Sequence, residues 1–221
     1  MENEKGQLRH SITFTSGAIK ELPQEYDVLK LRGSVTLHQD IHLKEISTHG
    51  YSVFHSDVLV NSLHNAGSCA IRGKCSAMKL HNVGNVTLYS AQIAYINSSG
   101  KLSVNELRTD KLEAIGMIQG TEINAKQLHL RLSSESNVER LVTEEVQIDK
   151  HGMSFSLFKK RLLCRYIIGK KLHLSYTQAD VVEGETVNIG KHCKINTLYY
   201  LESYTISPKA TVTRVIRRVA S

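Results

Sequence analysis

Apolar and polar residues recur with a period of 16 or 17 through the middle of the chain. Glycines fall at positions 33, 50, 67, 84, 100 and 116, in steps of 17, 17, 17, 16 and 16. Cut at each glycine, the chain gives six superimposable rows, from GSVTLHQDIHLKEISTH to GMIQGTEINAKQLHLR. Two residues after the glycine stand Val35, Ser52, Cys69, Val86, Leu102 and Ile118, and four after it Leu37, Phe54, Ile71, Leu88, Val104 and Gly120. A second pair of columns begins Ile41/Leu43 and Val58/Val60, and comes one residue earlier in the 16-residue rows, as Ala91/Ile93 and Ile123/Ala125. A last column holds only Leu or Ile: Ile46, Leu63, Leu80, Ile96, Leu112 and Leu128. Apolar residues two apart describe strands with one face buried. Self-similarity at a fixed period describes a solenoid.

The pattern predicts an all-β, right-handed parallel β-helix with three short strands per 16–17-residue turn and irregular ends. Right-handedness is the rule for parallel crossovers. The left-handed hexapeptide coil keeps a strict six-residue beat that these rows break. Six amphipathic helices are the alternative reading, but β-branched pairs and one glycine per row argue against it. The glycines are expected at a corner where backbones approach closely, and Asn65 and Asn82 share another corner column from which they could ladder.

The division expected is a polar N-terminus with a degenerate capping turn over 1–32, a β-helix core over 33–149, a basic and apolar connecting segment over 150–171, and β-rich closing turns over 172–221. Past residue 131 the register blurs, although Val138, Leu141, Val146 and Ile148 suggest one more turn without its glycine.

Composition narrows the class. The 221-residue chain has 41% hydrophobic residues but only 6% aromatics and no Trp, which suits a narrow aliphatic core. The N-terminus MENEKGQLRH has no apolar run of a signal peptide, and no stretch approaches a membrane span, so a cytoplasmic location is expected. Cys69, Cys75, Cys164 and Cys193 are then reduced thiols, and their spacing is not that of zinc-ligand pairs. No metal and no cofactor is expected. His38 and His55 share one outward column, and His64 and His81 another. Each pair is close enough to approach a metal, but lacks a carboxylate partner in its column. Catalytic β-helices need clustered carboxylates and long loops. Here turns are tight, Asp40, Asp57, Glu106 and Glu122 scatter, and no GxSxG, P-loop or HExxH occurs. The chain is therefore read as no enzyme, with a β-helical polysaccharide-acting enzyme or a membrane-associated adaptor as the alternatives.

The rows and the segment VVEGETVNIGKHCKINTLYY resemble the bactofilins, small bacterial proteins whose turns follow GxVxLxxxIxLxxLxxxG. The end piece is similar to a V-G-x-x-V-x-I-G-x-x-C-x-I element of some members from Gram-positive bacteria. The resemblance implies a nucleotide-free cytoplasmic polymer that positions partner proteins in cell shape, envelope, polarity or motility functions. The long Pro-rich tails and the short apolar N-terminal patch of many members are absent from this sequence.

Two surfaces follow. Strand edges at the ends of the coil recruit further strands, so self-stacking is assigned to Ile12, Phe14, Ile19, Leu22, Leu198, Tyr199, Tyr200 and Tyr204. The formal charge is +7, and the seven cations from Lys150 to Lys171 stand in a stretch with no Asp or Glu between Asp149 and Asp180. Interleaved with apolar residues, Phe155, Phe158, Lys159, Lys160, Arg161, Leu162 and Arg165 are assigned to docking on an anionic membrane surface or another scaffold protein. Read as a helix, Phe158, Leu162 and Tyr166 would form one side. No nucleic acid and no small-molecule substrate is expected, since the rows offer no aromatic platform.

Overall fold

A computed structural model describes residues 10–23, 25–152 and 159–218. The described residues contain no helix, and their strands form one 12-stranded sheet, all parallel, each strand lying beside the next in sequence. The strands are β1 (Ser11–Ile19), β2 (Val28–Leu37), β3 (Ile41–Phe54), β4 (Val58–Asn65), β5 (Ser68–Asn82), β6 (Asn85–Ser98), β7 (Lys101–Leu132), β8 (Ser136–Lys150), β9 (Leu162–Leu174), β10 (Thr177–Ile189), β11 (Lys194–Ile206) and β12 (Thr211–Arg217). This is a parallel β-helix. Several strands run around a corner, so each turn, or rung, shows three faces with two inward residues apiece, as in Val86/Leu88, Ala91/Ile93 and Ile96/Ser98 of β6.

The register is the one the columns require. Val35 lies beside Ser52, Cys69 beside Val86, and Leu63 beside Leu80. All members of the Leu/Ile column from Ile46 to Leu128 are buried. The core is a single aliphatic stack running from Ile19 to Leu198, with Phe54 its largest fully buried side chain.

Gly50, Gly67, Gly84, Gly100 and Gly116 stack on one another along a corner. A Cβ on Gly84 would fall onto the carbonyl oxygen of Gly67, a contact no side chain tolerates. At the start of the stack Gly33 has φ +85°, a left-handed conformation open chiefly to glycine. Close approach, more than positive φ, fixes the residue type here.

The third face holds what the hydrophobic pattern hid. Its second inward column reads Thr48, Asn65, Asn82 and Ser98, all buried. Thr48 Oγ1 donates to Asn65 Oδ1 at 2.7 Å, Asn65 Nδ2 to Asn82 Oδ1 at 2.7 Å, and Asn82 Nδ2 to Ser98 Oγ at 2.9 Å. The amides also satisfy the corner backbone: Gly67 N–H donates to Asn65 Oδ1 and Gly84 N–H to Asn82 Oδ1. The ladder is an inward column of the core, continued by Ala114 and Leu130.

The coil does not stop at 149. β8, β9, β10, β11 and β12 pair in succession, so residues 162–217 continue the same stack. The boundaries at 150 and 171 therefore give way to an insert over 151–161, between β8 and β9. Leu162–Leu174 is a strand with Leu162, Cys164, Ile167, Leu172 and Leu174 in the core, which corrects the helical reading of Leu162 and Tyr166. The i, i+4 spacing of Leu162 and Tyr166 is met by chance in a strand, where Leu162 points into the core and Tyr166 is exposed.

Candidate functional site

At the N-terminal end β1 pairs only with β2, and its other edge has no strand beside it among the described residues. Ile12, Phe14 and Leu22 are half-buried and packed against the core, whereas Ile19 is 7% exposed and belongs to the core. The end thus presents backbone donors and acceptors beside apolar side chains.

At the other end the structure moves the edge outward by one strand. β12 lies over Lys194–Tyr200, setting Val215 beside Leu198 and Ile216 beside Tyr199. Leu198 is therefore wholly buried. Tyr199 and Tyr200 are half-buried, with the Arg218 guanidinium 4.8 Å from the Tyr199 ring centre. Tyr204 lies beyond the reach of β12 and is 41% exposed, with its ring centre 4.6 Å from that of Tyr200. The terminal strand carries Val215 and Ile216, large apolar side chains left 38% and 40% exposed. Sequence reasoning missed both, although counting rungs past Cys193 would have found them.

In the basic segment, Phe155 and Phe158 lie outside the described residues. Lys159 is exposed, and Lys160 Nζ donates to the His151 carbonyl at 3.3 Å. Arg161 meets Glu135 at 2.7 Å, Arg165 meets Glu139 at 3.1 Å and Lys171 meets Glu145 at 3.2 Å. All three pairs join residues 26 apart, one step across the insert. A linear window from 150 to 179 shows only cations, because their counter-ions sit one rung below. Each such exposed pair contributes at most about 1 kcal/mol. Together they hold β9 in register over β8.

The two histidine pairs form as columns. His38 and His55 stack with centroids 4.6 Å apart and planes at 8°; His64 and His81 are 6.1 Å apart and tilted by 54°. Desolvation, then Arg72, then His38 lower the pKa of His55. Among the described residues no three His, Cys, Asp or Glu converge as a metal site. The four cysteines are buried free thiols. Burial pushes Cys69 and Cys193 up to about 11, and Cys75 and Cys164 to about 12, far from a nucleophilic thiolate.

A shallow groove of about 860 Å³ follows the second face from Leu59 to Lys170. The exposed apolar side chains Leu59 and Met78 stand in it among polar and charged ones such as Gln92, Arg108 and Asp110. Its Asp110 carboxylate is 2.6 Å from the Lys126 ammonium, which raises the pKa of Lys126. The groove offers no aromatic ring for a sugar to stack on.

No family model matches the chain, and no solved structure matches it. The chain is 32% identical over 79 residues to the uncharacterized protein YhbF of Bacillus subtilis (strain 168), covering 35% of this chain. The match spans about a third of that protein's length, 34%.

Proposed function

We propose that the protein is a non-enzymatic, polymer-forming scaffold of the bactofilin kind, built by stacking β-helices end to end in the cytoplasm. The observation that carries this reading is the pair of open parallel edges. β1 and β12 each lack a strand on one side among the described residues, and each sets half-exposed apolar side chains beside that edge. Unpaired edges recruit strands unless charge, proline or a cap blocks them. A rod with a uniform inner stack also adds subunits without altering its own interior.

Electron microscopy and sedimentation of the purified chain test the reading. Wild type forms filaments. Phe14→Arg or Val215→Arg at the two edges leaves soluble monomers with unchanged β circular dichroism. A wild type that stays monomeric at high concentration overturns the proposal. A secondary attachment to an anionic bilayer or an acidic partner would rest on exposed cations before and within β9. Arg161, Arg165 and Lys171 are matched by carboxylates, Lys160 donates to the His151 carbonyl and Lys150 lies over the Tyr176 ring, so the exposed Lys159 and Lys170 are its foremost contributors.

A further inference from the structure

The three outer faces of the rod are not alike. One face carries the inward pairs that run from Val35/Leu37 to Ile118/Gly120. Over the six rungs from Ser34 to Thr121, the outward positions beside these pairs are the residue before, the residue between and the residue after. Of these eighteen side chains only Arg72 and Lys101 carry a formal charge, and none is acidic. The equivalent eighteen positions on the next face, from Asp40 to Lys126, carry nine charges, among them Asp40, Asp57, Glu106, Arg108 and Asp110. The low-charge face also bears Tyr51 and Tyr89, 53% and 64% exposed, although both could have been hydrophilic without cost to the core. A shallow depression of about 720 Å³ runs along it between Ala70 and Thr121. Depletion of charge together with exposed tyrosines marks a protein–protein contact surface.

We infer that this face is a lateral interface at which a second copy of the chain docks, so that neighbouring filaments pair side by side. The inference rests on the polymer reading above. A second copy fits for two reasons. The face can meet itself with almost no charge to desolvate, whereas the charged face cannot. Both copies also repeat every ~4.8 Å, so ridges of one stay in phase with grooves of the other over all six rungs. The contact is small. Six rungs give ~29 Å along the axis, and five residues across give ~13 Å, or about 400 Å² per subunit. That is half of the ~800 Å² per partner of a stable complex. Isolated subunits therefore pair weakly, and pairing becomes firm only when a polymer repeats the contact.

The test uses the full chain and two centrifuge speeds, low for bundles and high for single filaments. Thr87→Glu with Ser103→Glu places two acids at the centre of the face, both at outward positions. The expected result is at least a tenfold loss from the low-speed pellet with an unchanged high-speed pellet, and single filaments by electron microscopy. The same double charge at Asn97 and Ser99, on another face, leaves bundles intact. Bundling of the Thr87/Ser103 variant at the wild-type level overturns the inference, as do wild-type filaments that never pair. If the wild type forms no polymer, the end-stacking reading fails by itself and the face is tested separately. A Thr87→Cys variant at high concentration is treated with a short bis-maleimide, to which the four buried native thiols are closed. A cross-linked dimer sustains the lateral interface, and monomer alone rejects it.

Discussion

Replacing Asn82 by Ala should cost about 3–5 kcal/mol, as much as deleting a large core side chain. Asn82 is wholly buried. Its amide accepts from Asn65 Nδ2 at 2.7 Å and from Gly84 N–H at 3.1 Å. It donates to Ser98 Oγ at 2.9 Å, to the Gly84 carbonyl at 3.1 Å and to the Lys101 carbonyl at 3.2 Å. Not every partner is stranded by its loss. Asn65 Nδ2 keeps the carbonyls of Gly67 and Asn85, and the Gly84 carbonyl keeps the Lys101 N–H. Gly84 N–H and the Ser98 hydroxyl lose the one bond described for each. An orphaned buried group costs about 1–3 kcal/mol, and the vacated volume adds to this. Combining the change with Asn65→Ala removes the shared Asn65–Asn82 bond once instead of twice. The double variant should therefore fall short of the sum by about 1 kcal/mol. Urea unfolding followed by circular dichroism, at concentrations below assembly, measures each arm. A loss under about 0.5 kcal/mol, no larger than that of exposed Asn97→Ala, would refute the view that the amide ladder stabilises the third face.

Leu80→Ala and Leu112→Ala should each cost about 2–5 kcal/mol in the same assay, while the outward changes Lys79→Ala and Lys111→Ala cost little; equal losses would place the inward register wrongly. Gly84→Ala should destabilise more than Gly152→Ala, since an added Cβ strikes the Gly67 carbonyl in the first case, whereas in the second it meets open space and only the left-handed φ of +57°, about 1 kcal/mol, opposes it; thermal melts decide. The lowered pKa of His55 means that the folded state binds fewer protons than the unfolded chain, so its contribution is complete above the ordinary value of 6.5 and is lost as pH falls through the folded pKa. An NMR titration should place the His55 midpoint below 6.5, and Arg72→Ala should raise it. Co-sedimentation with anionic liposomes should be weak and salt-sensitive, and lost in Lys159→Glu/Lys170→Glu; salt-independent binding would point away from electrostatic docking.

The solenoid was legible where inward residues are apolar and rows carry a glycine. From Val35 to Leu128 two inward pairs and the Leu/Ile column could be read from the sequence, because burial of alternate residues leaves a period-2 trace. Of the remaining inward column only the Asn65–Asn82 ladder could be read, and as a corner feature; Thr48 and Ser98 look like surface residues until their partners one rung away are known. β9 was hidden for a related reason. Arg161, just before it, and Arg165 and Lys171 within it are balanced by Glu135, Glu139 and Glu145, which stacking brings near and sequence keeps 26 residues distant. At the C-terminal end, hydrophobicity peaks at Leu198–Tyr200, and the outermost strand is half polar because only its inner edge meets the core. Charge depletion on the lateral face becomes visible only once the outward positions are sorted by face.

Rungs differ in length, yet their inward residues remain aligned. Thr177 follows its counterpart Leu162 by 15 residues, Asn65 follows Thr48 by 17, and the rung that contains the insert needs 26. Corners absorb these differences, so the unit of the molecule is the rung, and the rod behaves as a ruler graduated in steps of ~4.8 Å. Excising residues 67–83 would remove one graduation, bring Gly84 onto Gly50, and let Asn65 meet Ser98 where Asn82 had stood. Duplicating the same stretch would add one. The axial repeat of any assembly made from the chain would shorten or lengthen by that step, which makes subunit length a quantity that evolution or design sets by counting rungs.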